Sequence, residues 1–522
     1  MFMQVHQTFI AQTSCRRRPV TLSSGATPVL KGSDMNIIYY NPDEMRADVL
    51  GCYGHPLVKT PNIDRLAARG TTFENCFVQH TVCTPSRCSF LTGWYPHVRG
   101  HRSLWHLLQP DEPNTLKYLK QNGYDVHCVG KNDALAAESF AESVHEIHMP
   151  KGAGHTQRVH NDPNEPGFMN FLYEPMSDDH RDMACAEVAA EYVRNWKVGD
   201  KPFMWYITTA LPHCPYSCPE PWYSMYSPDE IPPLLEKRIE KAPAFHKWIR
   251  HHRKLDECAD DLKKIMAVYL GMVSYADHMF GKLLTALEES PAGDCTTLMF
   301  FSDHGDWAGH RGLVEKWSSA LDDDLTHVPL IISTPGGKQG HRVTEPVELQ
   351  DIAITTAELA GYELKHTQFG RSLVPQLNGE AGDPDRYVYA EGGYDLPGDY
   401  VAFEFNGGHE GHKGYDPKPM ITNPEHIYYP KTHQQEVQPE SICRAVMVRS
   451  SAYKLIRRTK DISELYDMKK DPTESVNLID DPSYSDVKAD LNENLLQWML
   501  ATSDVMPYDR DCRTWPEQLT YN

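Results

Sequence analysis

Short apolar runs alternate with longer amphipathic stretches along the first three quarters of the chain. Asn36-Ile37-Ile38-Tyr39-Tyr40 is β-prone, has no polar alternation and stops at Asn41-Pro42, the pattern of a strand buried on both faces. Tyr124 to Val129, Phe203 to Thr208, Thr297 to Phe301 and Val328 to Ser333 read the same way. Between these runs, helical patterns cover Thr60 to Gly70, Pro85 to Thr92, Asn114 to Asn122, Met183 to Trp196 and Leu262 to Glu289. Strands alternating with helices predict an α/β fold built on a large, doubly wound, mostly parallel sheet flanked by helices. Ligands of such sheets sit beyond the carboxyl ends of the strands. Two of the runs end there in acids, Asp43-Glu44 after the first and Asp303-His304-Gly305-Asp306 after Thr297 to Phe301.

From about Arg386 the pattern changes. Glu391 to Asp416 is rich in Gly, Asp and aromatics and reads as a long loop. Three β-prone stretches follow, Arg444 to Val448, Lys454 to Arg458 and Glu464 to Asp467, and then an amphipathic helix from about Tyr484 to Thr502. This predicts a smaller C-terminal α+β subdomain containing an antiparallel sheet. The expected organisation is a disordered leader over 1–34, a main domain over 35–385 and the subdomain over 386–522.

Composition narrows the possible partners. The chain has 522 residues, 40% of them hydrophobic, with 10 Trp and 27 Tyr, so it can bury a large core. A net charge of −21 argues against nucleic acid and anionic membranes, because phosphate binding needs a basic face. A small anionic substrate stays open, since a few local cations and a metal outweigh a distant field. No apolar run reaches membrane-spanning length. The start is a poor signal peptide, because Arg16-Arg17-Arg18 follows its weak apolar stretch and does not precede it. The 13 cysteines are odd in number and lack the density of a disulfide scaffold. Reduced thiols and a cytoplasmic location are therefore expected.

The chemistry concentrates in a few segments. Cys83-Thr84-Pro85-Ser86-Arg87 precedes Leu91-Thr92-Gly93. Pro85 suits the first turn of a helix, which puts residue 83 at that helix's positive end, where an oxyanion is favoured. Pro42-Asp43-Glu44-Met45-Arg46-Ala47-Asp48 is followed by Leu50-Gly51-Cys52-Tyr53-Gly54 and Thr60-Pro61-Asn62-Ile63-Asp64-Arg65-Leu66. Ser302-Asp303-His304-Gly305-Asp306 is followed by Gly309-His310-Arg311-Gly312-Leu313 and Lys316. Val129-Gly130-Lys131 and Leu211-Pro212-His213-Cys214-Pro215 are shorter signals, and His97, His101 and Arg102 lie in the loop after Cys83. Cys214 and Cys218 lack a second Cys/His pair at zinc-site spacing.

In this order the segments resemble the formylglycine-dependent (type I) sulfatase family of the alkaline phosphatase superfamily. The resemblance runs from Asn36 to about Leu373 and resumes at Glu464-Leu465-Tyr466-Asp467 and Asp471-Pro472-Thr473-Glu474. It implies that a formylglycine-generating enzyme oxidises Cys83 to 3-oxoalanine, whose hydrate is the nucleophile. It implies that Arg87 orients residue 83, that Lys131 and Lys316 hold the sulfate, and that His213 contacts the ester oxygen. Lys316 or His213 would protonate the leaving alcohol. Asp43, Glu44, residue 83, Asp303 and His304 would hold one divalent cation, with Ca2+ the natural choice for hard oxygen ligands and Mg2+ or Mn2+ open. Two positions depart from the family pattern: Glu44 stands where Asp or Gln is commoner, and Asp133 where a histidine is usual. The Asp303-His304 pair resembles a subset that includes choline sulfatases and phosphonate monoester hydrolases.

The implied function is hydrolysis of a sulfate ester on a small sulfated sugar or other small organic sulfate. Two alternatives stand beside it. One is a phosphonate monoester hydrolase or phosphodiesterase using the same nucleophile. The other is an anion- or glycan-binding protein in which Cys83 is never modified. Ser86 tips the reading toward sulfate, because the phosphonate hydrolases more often resemble C-x-P-A-R.

Overall fold

β1 (Asn36–Pro42) is buried at all seven positions, because it lies between two strands and under side chains on both faces. In this computed structural model, which describes residues 29–505 except 30, 33, 153–171, 173–174, 178–179, 239 and 396–421, β1 pairs in parallel with β5 (Phe203–Thr209) and β6 (Thr296–Phe301). The other strands of this nine-stranded sheet are β2 (Thr71–Phe77), β3 (Asp125–Gly130), β4 (Glu146–His148), β7 (His327–Ser333), β8 (His341–Val343) and β9 (Val347–Glu348). The order is β4-β3-β5-β1-β6-β7-β2-β8, with β9 also on β2. Alternation along β1 divides the core in two. Ile38 and Tyr40 face one apolar cluster with Trp205, Phe280 and Phe300, and Ile37 and Tyr39 face the other with Phe90, Tyr206 and Phe301. The helix Leu262–Glu289 covers the first face and packs on the helices Arg181–Asn195 and Pro61–Arg69. Among the described residues no helix is long and apolar enough to cross a membrane.

The structure departs from the sequence expectation in three places. β7 was expected among parallel strands but runs antiparallel to β6, with Ser333 opposite Leu298. The chain between them holds only the short turns His310–Gly312 and Asp323–Thr326, whereas a parallel neighbour needs a crossover helix. β2 escaped the apolar pattern because its pairing with β7 shifts register between Phe73 and Cys76, where the polar Glu74 and Asn75 interrupt the run. Glu391, expected to begin a long loop, lies inside β10 (Val388–Gly392). The leader expected over 1–34 and the loop expected through Asp416 lie largely outside the described residues.

β10 joins β11 (Ala445–Arg449), β12 (Tyr453–Arg458) and β13 (Glu464–Asp467) in an antiparallel sheet. The helix Ser485–Thr502 buries Leu491, Leu495 and Trp498 against it, and Trp498 stacks on Tyr389 with ring centroids 4.9 Å apart. Buried charges tie this sheet to the chain just before β7. Glu474 accepts from Arg311 Nη2 at 3.0 Å, Arg238 Nη2 at 3.2 Å and Lys454 Nζ at 2.5 Å. Asp323 accepts from Arg449 and Lys454, each at 2.8 Å. Burying these charges is tolerable only because each has partners, and removing one partner strands the rest. Glu474→Ala is therefore expected to lower stability by ~3–5 kcal/mol in urea denaturation. A loss below ~1 kcal/mol would show that the network holds nothing together.

Candidate active site

The first residue of the helix Cys83–Thr92 is Cys83 itself, 1% exposed and capped only by backbone at Val82. The whole helix is buried, so its orientation is set by contacts on every side. Ser86 donates its hydroxyl to the Asp303 carbonyl at 2.6 Å. Arg87 does most of the positioning. Its Nε donates to Asp303 Oδ2 at 2.8 Å, Nη2 to Asp43 Oδ2 at 2.9 Å and Nη1 to the Lys131 carbonyl at 2.9 Å. One guanidinium thus joins the ends of β1, β6 and β3.

Around Cys83 Sγ stand His304 Nε2 at 3.2 Å and Asp43 Oδ1 and Lys131 Nζ, each at 3.5 Å. Asp43 also receives Lys131 Nζ on Oδ2 at 2.5 Å. Burial disfavours charge on Asp43, but Lys131 and Arg87 hold its carboxyl well below the usual range. Burial, with Asp43, pushes the Cys83 thiol up, so the site as it stands presents a thiol and not a thiolate.

The donor atoms fit a cation. Asp43, Cys83, Asp303 and His304 are all buried and offer ligand atoms within 4.8 Å of one another. His304 Nδ1 lies 3.0 Å from the Gly305 carbonyl. A carbonyl can only accept, so Nδ1 carries the proton and Nε2 turns its lone pair inward. The neighbouring Glu44 is held at φ 67°, a left-handed conformation that costs a non-glycine residue energy. Its backbone N–H donates to Asp303 Oδ1 at 3.2 Å and its carbonyl accepts from Tyr269 at 2.7 Å. Its carboxyl is raised by burial and by Asp306, Glu315 and Asp43, against the pull of Lys316. Glu44 Oε1 is buried and makes no hydrogen bond. A buried carboxyl oxygen without a partner, whose charge is disfavoured by burial and neighbouring acids, is one that a divalent ion with oxygen ligands would compensate.

Glu44 itself stands in an adjoining group with Lys316 and His213. Lys316 Nζ donates to Glu44 Oε2 at 3.0 Å and to His213 Nε2 at 2.6 Å. His213 therefore accepts on Nε2 and keeps its proton on Nδ1, which donates to the Cys214 carbonyl. Burial, with Lys316 and Lys131, holds His213 well below its usual pKa, so the ring is neutral. Side-chain exposure is 27% at Lys131 and 17% at His213 but 4% at Lys316 and 0% at Asp43. The site therefore opens between Lys131 and His213. Lys131 reaches it because Gly130 turns the chain at φ 97°, where a Cβ would meet the Thr208 carbonyl at 1.7 Å.

Three other residues singled out from the sequence, His97, His101 and Arg102, lie apart from this cluster. His97 Nδ1 is 2.6 Å and Arg102 Nη1 2.9 Å from the buried Glu391 of β10. His101 lies 3.2 Å from Glu112. Asp133 pairs with Lys131 at 3.1 Å, so it faces the site as an anion where the family pattern has a base. Sequence reasoning missed the supports of Lys316. Glu315 is clamped by Arg253 and by Lys431 at 2.9 Å, and the buried Asp306 accepts from Tyr216 at 2.9 Å. No spacing signal links Lys431 or Arg253 to Glu315.

Paired acids at neighbouring parallel strand ends, facing a buried helix start, give this fold the architecture of the alkaline phosphatase superfamily. Within it the chain belongs to the sulfatase family, whose model matches residues 35–362. A second model, the C-terminal region of N-sulphoglucosamine sulphohydrolase, matches residues 420–500. Human iduronate 2-sulfatase is 29% identical over 349 residues, 58% of this chain and 60% of that protein, so the chain spans about three fifths of that relative's length. The multifunctional alkaline phosphatase superfamily protein PehA of Trinickia caryophylli is 24% identical, over 90% of this chain and 96% of its own. The crystal structure of a phosphonate monoester hydrolase from Agrobacterium radiobacter matches with a TM-score of 0.68 at 23% identity, covering 90% and 96% of the two chains. At that identity the likeness speaks for the fold alone.

The geometry makes metal content a direct test. Asp303→Ala removes a ligand candidate and one of the two carboxylates of Arg87, and the purified variant is expected to lose most of its bound divalent ion in elemental analysis. Full occupancy would remove Asp303 from the cation site.

Proposed function

We propose that the chain hydrolyses a sulfate monoester, with residue 83 as the attacking group after its oxidation to formylglycine. The observation that carries this reading is the placement of Cys83 at a helix start, facing Asp43, Lys131 and His304. A sulfate monoester repels nucleophiles with its own negative charge, so its transfer needs cations on the oxygens and an oxygen nucleophile held in line. The hydrated aldehyde of residue 83 would supply that nucleophile. A divalent cation, Ca2+ in the first instance, held by Asp43, Asp303 and His304 with Glu44 beside them, would supply Lewis-acid charge.

The chain's own residues do the rest. Arg87 fixes the helix start against both carboxylates. Lys131, at the mouth, and Lys316, buried beside Glu44 and His213, would both meet the incoming anion. Lys316 is an ammonium, held protonated by Glu44 despite burial, and it is hydrogen-bonded to a neutral His213. Lys316 Nζ and His213 Nε2 share a hydrogen bond at 2.6 Å, so Lys316 or His213 would protonate the leaving alkoxide. The names of the human relative and of the matched C-terminal model both point to sulfated sugars, and a small sulfated sugar is the proposed substrate.

Cys83→Ser is expected to fold normally yet lose nearly all turnover on an aryl sulfate, because the thiol-dependent maturation leaves serine untouched. Mass analysis of the peptide carrying residue 83 should show the aldehyde in the wild-type protein. Unmodified Cys83 together with full activity would sink the assignment.

A phosphonate monoester or phosphodiester substrate is the second reading, because such esters carry one negative charge, as a sulfate monoester does, and the two lysines suit them equally well. Catalytic efficiency on an aryl sulfate, the matching aryl phosphonate monoester and a sulfated sugar separates the two. The sulfate is expected to lead. A phosphonate preference of ~100-fold, about 2.7 kcal/mol of transition-state stabilisation, would reverse the order.

A further inference from the structure

A second group of metal-ligating side chains lies at the edge of the main sheet and shares no residue with the Cys83 cluster. β4 is the edge strand, and its register on β3 sets Glu146 opposite His127 and His148 opposite Val129. Alternation then puts His127, Glu146 and His148 on one face. Trp205, the register partner of His127 on β5, forms the floor. His127 stacks on it at 4.8 Å and His148 at 4.7 Å between ring centroids, and Tyr192 leans on His127 at 4.6 Å. Both imidazole planes are therefore fixed and their ring nitrogens aimed.

His127 Nδ1 lies 3.1 Å from His148 Nε2 and 3.7 Å from Glu146 Oε2. The three residues offer ligand atoms that all fall within 4.8 Å of one another. A tetrahedral ion with bonds of about 2.0–2.1 Å has ligand–ligand edges of roughly 3.3 Å, so the nitrogens already stand near bonding separation. On the far side of the ring, His127 Nε2 is 3.1 Å from Asp125 Oδ2, and Asp125 also accepts from Tyr192 at 3.3 Å. A carboxylate this close behind an imidazole raises the basicity of a ligating histidine.

We propose that His127, Glu146 and His148 form a second metal site, selective for a divalent transition ion of the zinc class, that pins the edge strand β4 to β3. Two imidazoles and one carboxylate suit zinc, whereas the oxygen-rich active site suits calcium or magnesium. The two sites therefore sort different ions. The Glu146 side chain is 61% exposed, which leaves an entry path and an open fourth position for water.

The test uses the full-length protein, stripped by chelator and then saturated with calcium to occupy the active site. Zinc chloride is titrated by equilibrium dialysis with elemental readout. One equivalent of zinc is expected in the wild type, with affinity reduced on the order of 100-fold in His148→Ala and in Glu146→Gln. Both substitutions fall at partly exposed positions, and far-UV circular dichroism checks the fold. If His148→Ala fails to fold, Glu146→Gln decides alone. Zinc binding unchanged in a folded variant would overturn the proposal. So would a wild type that takes up no zinc, which would mean that His127 and His148 share only a hydrogen bond.

Discussion

Two carboxylates, Asp43 and Asp303, are buried at the ends of adjacent parallel strands, and the geometry of this site depends on the partners that hold both. Neither shows any side-chain exposure, and the guanidinium that bridges them shows none either. Taking such charges out of water costs several kcal/mol per ion, so the arrangement survives only with well-made partners. Arg87 provides them through a rigid fork whose donors reach both acids and a loop carbonyl at once. A lysine presents one point charge and could not span the same set. Because Arg87 lies one turn after Cys83 on the same helix, the interaction that bridges the two acids also fixes residue 83.

The same solution recurs away from the site. Asp323, Glu474, Arg238, Arg311, Arg449 and Lys454 meet in the seam between the two sheets, and the chain that carries Lys316 runs between two members of this group. Glu391 of β10 binds His97 and Arg102 from the loop after the Cys83 helix and lies 3.4 Å from Arg444. The C-terminal sheet therefore braces two segments, the loop after the Cys83 helix and the stretch that carries Lys316.

Much of this was legible in the sequence where one physical signal dominated. β1, β5, β6 and the helix Leu262–Glu289 are apolar runs whose lengths and periods admit one reading. The site residues from β1, the Cys83 helix, β3 and β6 follow from motifs in a fixed order. The direction of β7 was not legible, because an apolar run carries no sign of which way its neighbour points. β2 was hidden by its irregular register, and β10 by the glycine-rich composition that follows it. Lys431 and Arg253 were beyond reach for another reason. Their contact with Glu315 depends on three distant segments arriving together, and no local pattern records that.

Burial of the Cys83 helix has a consequence for timing. Cys83 is 1% exposed, and every residue of its helix is enclosed by strands and loops drawn from distant parts of the chain. A modifying enzyme cannot grip a segment so enclosed without unfolding much of the domain. The maturation proposed for residue 83 would therefore have to compete with folding, on a chain whose Cys83 segment is made early and whose covering strands β5, β6 and β7 are made late. The stretch of sequence between Cys83 and those strands would then act as a delay, keeping the thiol within reach until the partners that bury it have been synthesised.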